Sequence, residues 1–354
     1  MNGINRTPFL SICIPTFNRA EHVFNLVKDI LRCQSNEIEV VVMDNCSTDE
    51  TKKFLSSIDD NRFVYIQNSQ NIGGMLNSVK VLTVANGKYA LLCLDRDYIE
   101  SQYILSFIDS LQNDKDVVFG CCSFEVKEQE LDVVFEKGFD SVLNMAYISG
   151  HPSGYFYKSA ILKKLKTIEE INTKPIEIAF YHELVNAEIS FFGSSKRINI
   201  PIITASFLKS KDDLVINKSH SYNDKSYFGL PSKRIFEFSV YIVNASNLNL
   251  NLKEKKRLIS NIFFRGLVRS TWSYKDALLD QKNCSHYNLN PRKVSFMELL
   301  IIDFDYSMSF MKQNVSLSFY DKSNICILSQ CKLSFHLFKY LVNKTKRKLL
   351  RIVD

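Results

Sequence analysis

Two aspartates at i and i+2, Asp95 and Asp97, stand where an apolar run turns polar in YALLCLDRDYIES. Side chains at that spacing share a direction, so on a turn both carboxylates can aim at one point. A hard divalent cation wants oxygen ligands of that kind, and magnesium takes only one or two carboxylates when phosphate oxygens and water fill its remaining shell. A DxD at a strand end therefore suits a nucleotide diphosphate, although a bare DxD is also a common solvated turn. Arg96 between them either neutralises the pair or, as an i+1 side chain, points away from it.

Two more polar clusters follow apolar runs. IEVVVMD ends at Asp44, which could accept hydrogen bonds from a base or a ribose, or could simply close a turn. LSICIP is followed by Thr16 to Arg19, which could offer backbone amides and a cation to a phosphate, or could simply start a helix.

The elements that must position these clusters are legible as alternation. Leu10–Pro15, Ile38–Asp44, Phe63–Gln67, Tyr89–Leu94 and Val117–Cys121 read as strands. Ile38–Asp44 is nearly continuous in apolar residues, as a parallel strand covered on both faces would be. Between them, Val23, Leu26, Val27, Ile30 and Leu31 recur at helical spacing, and Ser47-Thr-Asp-Glu50 has the form of a capping box opening a second helix. Met75–Ala85, closed by Gly87, is predicted as a third. Strands alternating with helices imply an α/β fold with a mostly parallel sheet, whose ligands bind outside the carboxyl ends of the strands. All three polar clusters fall on that rim. Residues 121–205 are less regular: 124–135 reads as strand or loop, ISGHPSGYFYKS is rich in turn formers, and 177–192 reads as a helix before Gly193. From Pro231 the pattern is helical, so the expected organisation is a nucleotide-binding and catalytic domain over 1–230 and a C-terminal helical region over 231–354.

LSICIPTFNRAEHV, VVVMDNCSTDET, NSQNIGG and YALLCLDRDYI, in that order and spacing, resemble the family 2 glycosyltransferases with the GT-A (Rossmann-like) fold, and their closest flavour is that of bacterial capsule, O-antigen and other surface-polysaccharide enzymes. The resemblance covers about residues 8 to 105. It implies an inverting transfer of sugar from a nucleotide diphosphate, usually UDP, to a glycan or polyprenyl-diphosphate-linked acceptor, with Mn2+ or Mg2+ as cofactor. Carried over position by position, it implies that Pro15, Thr16, Asn18 and Arg19 line the nucleotide pocket, that Asp44 holds the base, and that Asn71 and Gly73 pass close to the nucleotide. Asp95 would face the ribose or metal-bound water, and Asp97 would bind the metal directly. Inversion needs a base for the acceptor hydroxyl. The resemblance points to Glu183 at a helix start, with His182 and His151 as further candidates, His151 lying in a segment like the family's acceptor-side loop. His220 and Lys218 fall in a loop that could close over a diphosphate or be an ordinary polar loop.

Alternatives remain. A sugar nucleotidyltransferase commonly carries a Gly-rich loop after its first strand, which PTFNRAEH lacks, and a silent scaffold protein would have no need of Asp44, Asp95 and Asp97. The nine cysteines show no CxxC or metal-ligand spacing and read as reduced core residues. No apolar run reaches about 18 residues, and the N-terminus lacks a signal-peptide pattern, so a cytoplasmic protein is expected. The formal charge of +7 is concentrated in the tail, where residues 332–354 carry seven Lys and Arg against one Asp. Mixed with Leu349, Leu350 and Ile352, those cations suggest either an interfacial segment on the anionic inner face of the membrane or a packed helix with a charged face. Nucleic acid is not an expected partner.

Overall fold

The computed structural model describes residues 7–124, 131–174, 176, 178–205, 229–281, 284–285 and 289–334. The chain divides into two compact units, 1–219 and 220–354. In the first, β1 (Leu10–Thr16), α1 (Ala20–Leu31), β2 (Ile38–Asp44), α2 (Thr51–Leu55), β3 (Phe63–Gln67), α3 (Gly74–Val84) and β4 (Tyr89–Leu92) alternate. They are followed by β5 (Tyr98–Ile99), α4 (Ile104–Gln112), β6 (Val117–Cys122), β7 (Val133–Phe135), α5 (Phe139–Met145), β8 (Tyr155–Lys158), α6 (Ser159–Leu162), α7 (Lys166–Thr173), α8 (His182–Ile189), β9 (Ser194–Ile198) and β10 (Ile203–Thr204). Eight strands form one mixed sheet in the order β3-β2-β1-β4-β8-β6-β9-β7, and β10 pairs with β5.

Strands β3, β2, β1 and β4 run parallel. Every residue of β1 and β2 is buried, as the doubly covered pattern requires. Glu39, buried near the start of β2, is satisfied locally: its carboxylate accepts from Ser11 Oγ and from the amides of Asn86 and Gly87. Gly87 therefore does not act as a helix cap. A Cβ there would meet Ser11 Oγ at 2.5 Å, and the close approach of this loop to β1 is what requires glycine. The five residues predicted as the buried stripe of α1 are the five that it buries.

The turn-rich stretch before Tyr155 leads into a strand the alternation did not reveal. β8 inserts antiparallel between β4 and β6. This places the loop that precedes β8 beside the end of β4, where Asp95 to Asp97 begin. The predicted helix over 177–192 is the shorter α8.

The second unit is helical, as expected, from Pro231: α9 (Pro231–Asn247), α10 (Leu252–Ser270), α11 (Trp272–Leu279) and α12 (Phe296–Lys312), with residues 319–334 helical beyond. Asn251 and Glu254 form the capping box of α10, and Gly266 permits a close approach, since a Cβ there would lie 2.1 Å from Tyr306 Oη. No helix among the described residues is long and apolar enough to cross a membrane. All nine cysteines are free thiols and five are buried.

Candidate functional site

The carboxyl ends of β1, β2 and β4 bring the three polar clusters onto one rim. Thr16 lies opposite Asp44 in the β1–β2 register, and β4 stops at Leu92, opposite Cys13, so β1 runs on without that neighbour. Pro15 stands two residues past Cys13, where its missing N–H costs no ladder bond. Beyond it, Asn18 adopts a left-handed backbone at φ 52° and ties two clusters together. Its amide donates to Ser47 Oγ at 2.8 Å, and its side-chain oxygen accepts from Thr48 N at 2.8 Å. Ser47 is thus drawn into the rim and does not cap α2, which carries no side-chain cap.

Asp44 is fully buried and its carboxylate is filled from within. Ser47 donates through its amide (2.9 Å) and hydroxyl (2.5 Å) to one oxygen, and Tyr65 Oη (2.8 Å) and Gln67 Nε2 (3.1 Å) donate to the other. Four donors occupy the usual acceptor sites of a carboxylate. Asn71 is exposed, and its side-chain oxygen accepts from Asn45 Nδ2 at 2.7 Å and from Gly73 N at 2.9 Å. Gly73, at φ 85°, opens onto free space.

The two aspartates of the DxD differ. Asp95 accepts from Thr16 Oγ1 at 2.9 Å and lies 3.5 Å from Arg19 Nε, with its side chain 13% exposed. Burial pushes its carboxyl pKa up, and the opposing pulls of Arg19, Thr16, the Phe17 amide and Arg96 do not cancel that. Asp97 is enclosed: its side chain is 0% exposed, Ser153 Oγ donates to Oδ2 at 2.5 Å, and His151 Nε2 lies 2.6 Å from the same oxygen. Ser153 in turn accepts from Leu94 N at 2.9 Å, which fixes the loop to the turn. Arg96 is half-buried, and its Nε is a buried donor with no hydrogen-bond partner among the described residues.

The three base candidates lie together but unequally. The side chains of Glu183 and His182 are 0% and 3% exposed, and that of His151 is 13% exposed. Glu183 Oε1 accepts from Gly150 N at 3.0 Å, so Glu183 reaches Asp97 through the loop that carries His151. Burial lowers the His182 pKa to about 3 and keeps its imidazole neutral. His220 and Lys218 lie outside the described residues, as does the tail from 335.

The description Glycosyl transferase family 2 matches residues 11–168, which span every rim cluster. The matched segment is a family 2 glycosyltransferase domain. Over 169 residues the chain is 31% identical to the GalNAc(5)-diNAcBac-PP-undecaprenol beta-1,3-glucosyltransferase of Campylobacter jejuni, covering 44% of this chain and 54% of the relative. It thus spans about half of that relative's length. Over 285 residues it is 22% identical to the abequosyltransferase RfbV of Salmonella typhimurium, covering 75% of this chain and 82% of the relative. Among solved structures, S. aureus TarS 1-349 in complex with UDP-GlcNAc superposes with a TM-score of 0.55 at 17% identity, covering 85% of this chain and 81% of that one. That likeness is one of fold.

Asp95 also tests whether the site fits the divalent cation expected of the family. A carboxylate whose burial is under-compensated by protein donors is one that a cation would satisfy. Among the described residues no three His, Cys, Asp or Glu side chains converge as a ready-made cage, so a cation there would draw on phosphate and water. The set fits on those terms, with Asp95 as the carboxylate open to the cation and Asp97 behind it in the same turn. Sequence reasoning missed Ser153, Tyr65 and Gln67. Only the adjacency of β8 to β4 brings Ser153 in, and only the β2–β3 register brings in the other two.

Proposed function

We propose that the chain is an inverting glycosyltransferase that moves a sugar from a nucleotide diphosphate, with UDP as the carrier, to a hydroxyl of a lipid-diphosphate-linked glycan in bacterial surface-polysaccharide synthesis. The observation that carries this reading is Asp95, held on the rim by Thr16 and Arg19 with its charge only partly offset. The UDP-GlcNAc bound to the TarS neighbour and the undecaprenol-linked acceptor in the name of the Campylobacter relative support the donor and acceptor classes.

Mn2+ or Mg2+, held by Asp95 with Asp97, would supply positive charge for the departing diphosphate. Thr16 and Arg19 keep Asp95 in place, and the Asn18–Ser47 and Asn71–Gly73 contacts shape the nucleotide side of the rim. His151 is the residue we assign to take the acceptor proton, because it is the most exposed of the three candidates, and Asp97 fixes its ring. The base is then oriented by a carboxylate, an arrangement general-base histidines commonly use.

The reading extends to a membrane surface. Residues 220–354 carry 22 Lys and Arg against 10 Asp and Glu, while residues 1–219 carry 23 against 28. Such asymmetry favours an anionic surface, and a lipid-linked acceptor would lie there. The test is calorimetry with UDP-sugars and other nucleotide sugars, with and without Mn2+ or Mg2+. Binding of a nucleotide diphosphate is expected; if none binds in either condition, the reading falls.

A further inference from the structure

Glu183 is a buried acid without a task in this proposed reaction. Its carboxylate is enclosed, and the hydroxyls of Tyr147, Tyr155 and Tyr157 feel its charge. Yet Oε1 makes a specific contact, accepting from Gly150 N at 3.0 Å, thirty-three residues away in sequence. Gly150 lies in a loop with an unusual backbone. Tyr147 (φ 57°) and Ser149 (φ 53°) hold left-handed conformations without being glycine, and Gly154 (φ 90°) packs so tightly that a Cβ would lie 2.6 Å from Cys122 Sγ. Left-handed backbone at non-glycine residues persists only where the surroundings over-determine it.

Several of the contacts that fix this loop can be named. Ser153 donates to Asp97 and accepts from Leu94 N, and Gly154 N donates to Leu92 O at 2.8 Å, which pins the C-terminal end of the loop to the end of β4. At the other end, directly before His151, the Gly150 amide is anchored on Glu183. His151 stands between these two fixings. We infer that Glu183 is a positioning residue: its carboxylate holds Gly150, and with it the loop 147–154, in the conformation that sets His151 against Asp97. This assigns Glu183 a role other than proton acceptor. The consequence for turnover rests on the transferase reading, whereas the positioning itself does not.

Glutamine separates the two roles. Its side-chain oxygen accepts from Gly150 N as the carboxylate does, but it cannot serve as a base at neutral pH. The experiment uses the full chain without substrate and reads the hydrogen-exchange rate of the Gly150 amide and the imidazole NMR signal of His151, assigned by its loss in His151→Gln. Glu183→Gln should leave both within about threefold of wild type in rate and at the wild-type shift. Glu183→Ala should raise the Gly150 exchange rate at least about tenfold and move the His151 signal, since the hydrogen bond to a buried acceptor is lost. Where the alanine variant does not fold, Glu183→Leu, which fills the space without accepting, takes its place. If alanine or leucine leaves both signals in place, Glu183 does not hold the loop; if glutamine disturbs them as much as alanine does, Glu183 acts through its charge and not as an acceptor. Either result overturns the assignment. None of these readings depends on whether a nucleotide sugar binds.

Discussion

His151 Nε2 lies 2.6 Å from Asp97 Oδ2, joining a loop ahead of β8 to the turn after β4 across 54 residues of sequence. The pairing of β8 beside β4 makes this meeting possible, and Asp97 has no exposed side-chain surface through which solvent could replace it. Asp97 is therefore tied to stability as well as to the site. Asp97→Ala should lower stability by about 1–3 kcal/mol, because Ser153 and His151 lose a buried acceptor, and Tm should fall by roughly 5 °C. It should also abolish Mn2+-dependent binding of UDP. A thermal melt with calorimetry checks both, and a wild-type Tm in this variant would contradict the pairing.

Thr16 supplies the shortest side-chain bond to Asp95, at 2.9 Å. Thr16→Val keeps the shape but removes the donor from a carboxylate already disfavoured by burial. The expected loss is about 1–2 kcal/mol in urea unfolding, with Thr16→Ser restoring most of it. Equal midpoints for valine and threonine would show that Arg19 alone sustains Asp95.

Much of the fold was readable because periodicity is local. β2 and the buried stripe of α1 were recognisable residue by residue, since each records its own burial. The rim was readable as three strand ends. What could not be read was pairing between distant segments. YFYK is too short to separate from its turn-rich approach, so β8 and the loop it brings to Asp97 stayed hidden. The motif at Ser47 fits a capping box by spacing, but Asp44 and Asn18 compete for its hydroxyl and win. For the same reason, Glu183 looks like an exposed acid at a helix start until α8 is seen to be buried along nearly its whole length.

Asp44 offers a test that separates scaffold from ligand contact. Asn in its place accepts through one oxygen and turns an NH2 group toward donors that both carboxylate oxygens now satisfy. Asp44→Asn should cost about 2–3 kcal/mol without any nucleotide present. Denaturant unfolding of the free protein measures this, and an unchanged midpoint would mean that the internal bonds carry little weight.

Residues 344–354 hold five Lys and Arg against one Asp. Each cation near an anionic bilayer contributes about 1 kcal/mol, so truncation after Asn343 should weaken binding to phosphatidylserine vesicles at least about tenfold while leaving binding to neutral vesicles as it was. Sedimentation with the two vesicle types decides the point, and equal binding by the truncated and full chains would remove the tail from the membrane reading.

His182 gives the protein an acid-side weakness. Its ring is packed against Tyr155 and Phe180, and burial holds its pKa at about 3, below the ordinary histidine value. In the unfolded chain the same ring takes a proton near pH 6.5. Between those values the unfolded state binds the extra proton, so stability rises with pH, and this contribution is complete above 6.5 and lost as pH falls toward 3. From pH 7 to pH 5 the loss from this residue is about 2 kcal/mol, taking roughly 1.4 kcal/mol per pH unit below 6.5. His182→Phe keeps an aromatic ring in the same packing and removes the titration, so its unfolding free energy should fall less over that range by about the same amount. Urea unfolding of both proteins at pH 7 and pH 5 measures the difference, and parallel losses would place the acid sensitivity elsewhere in the fold.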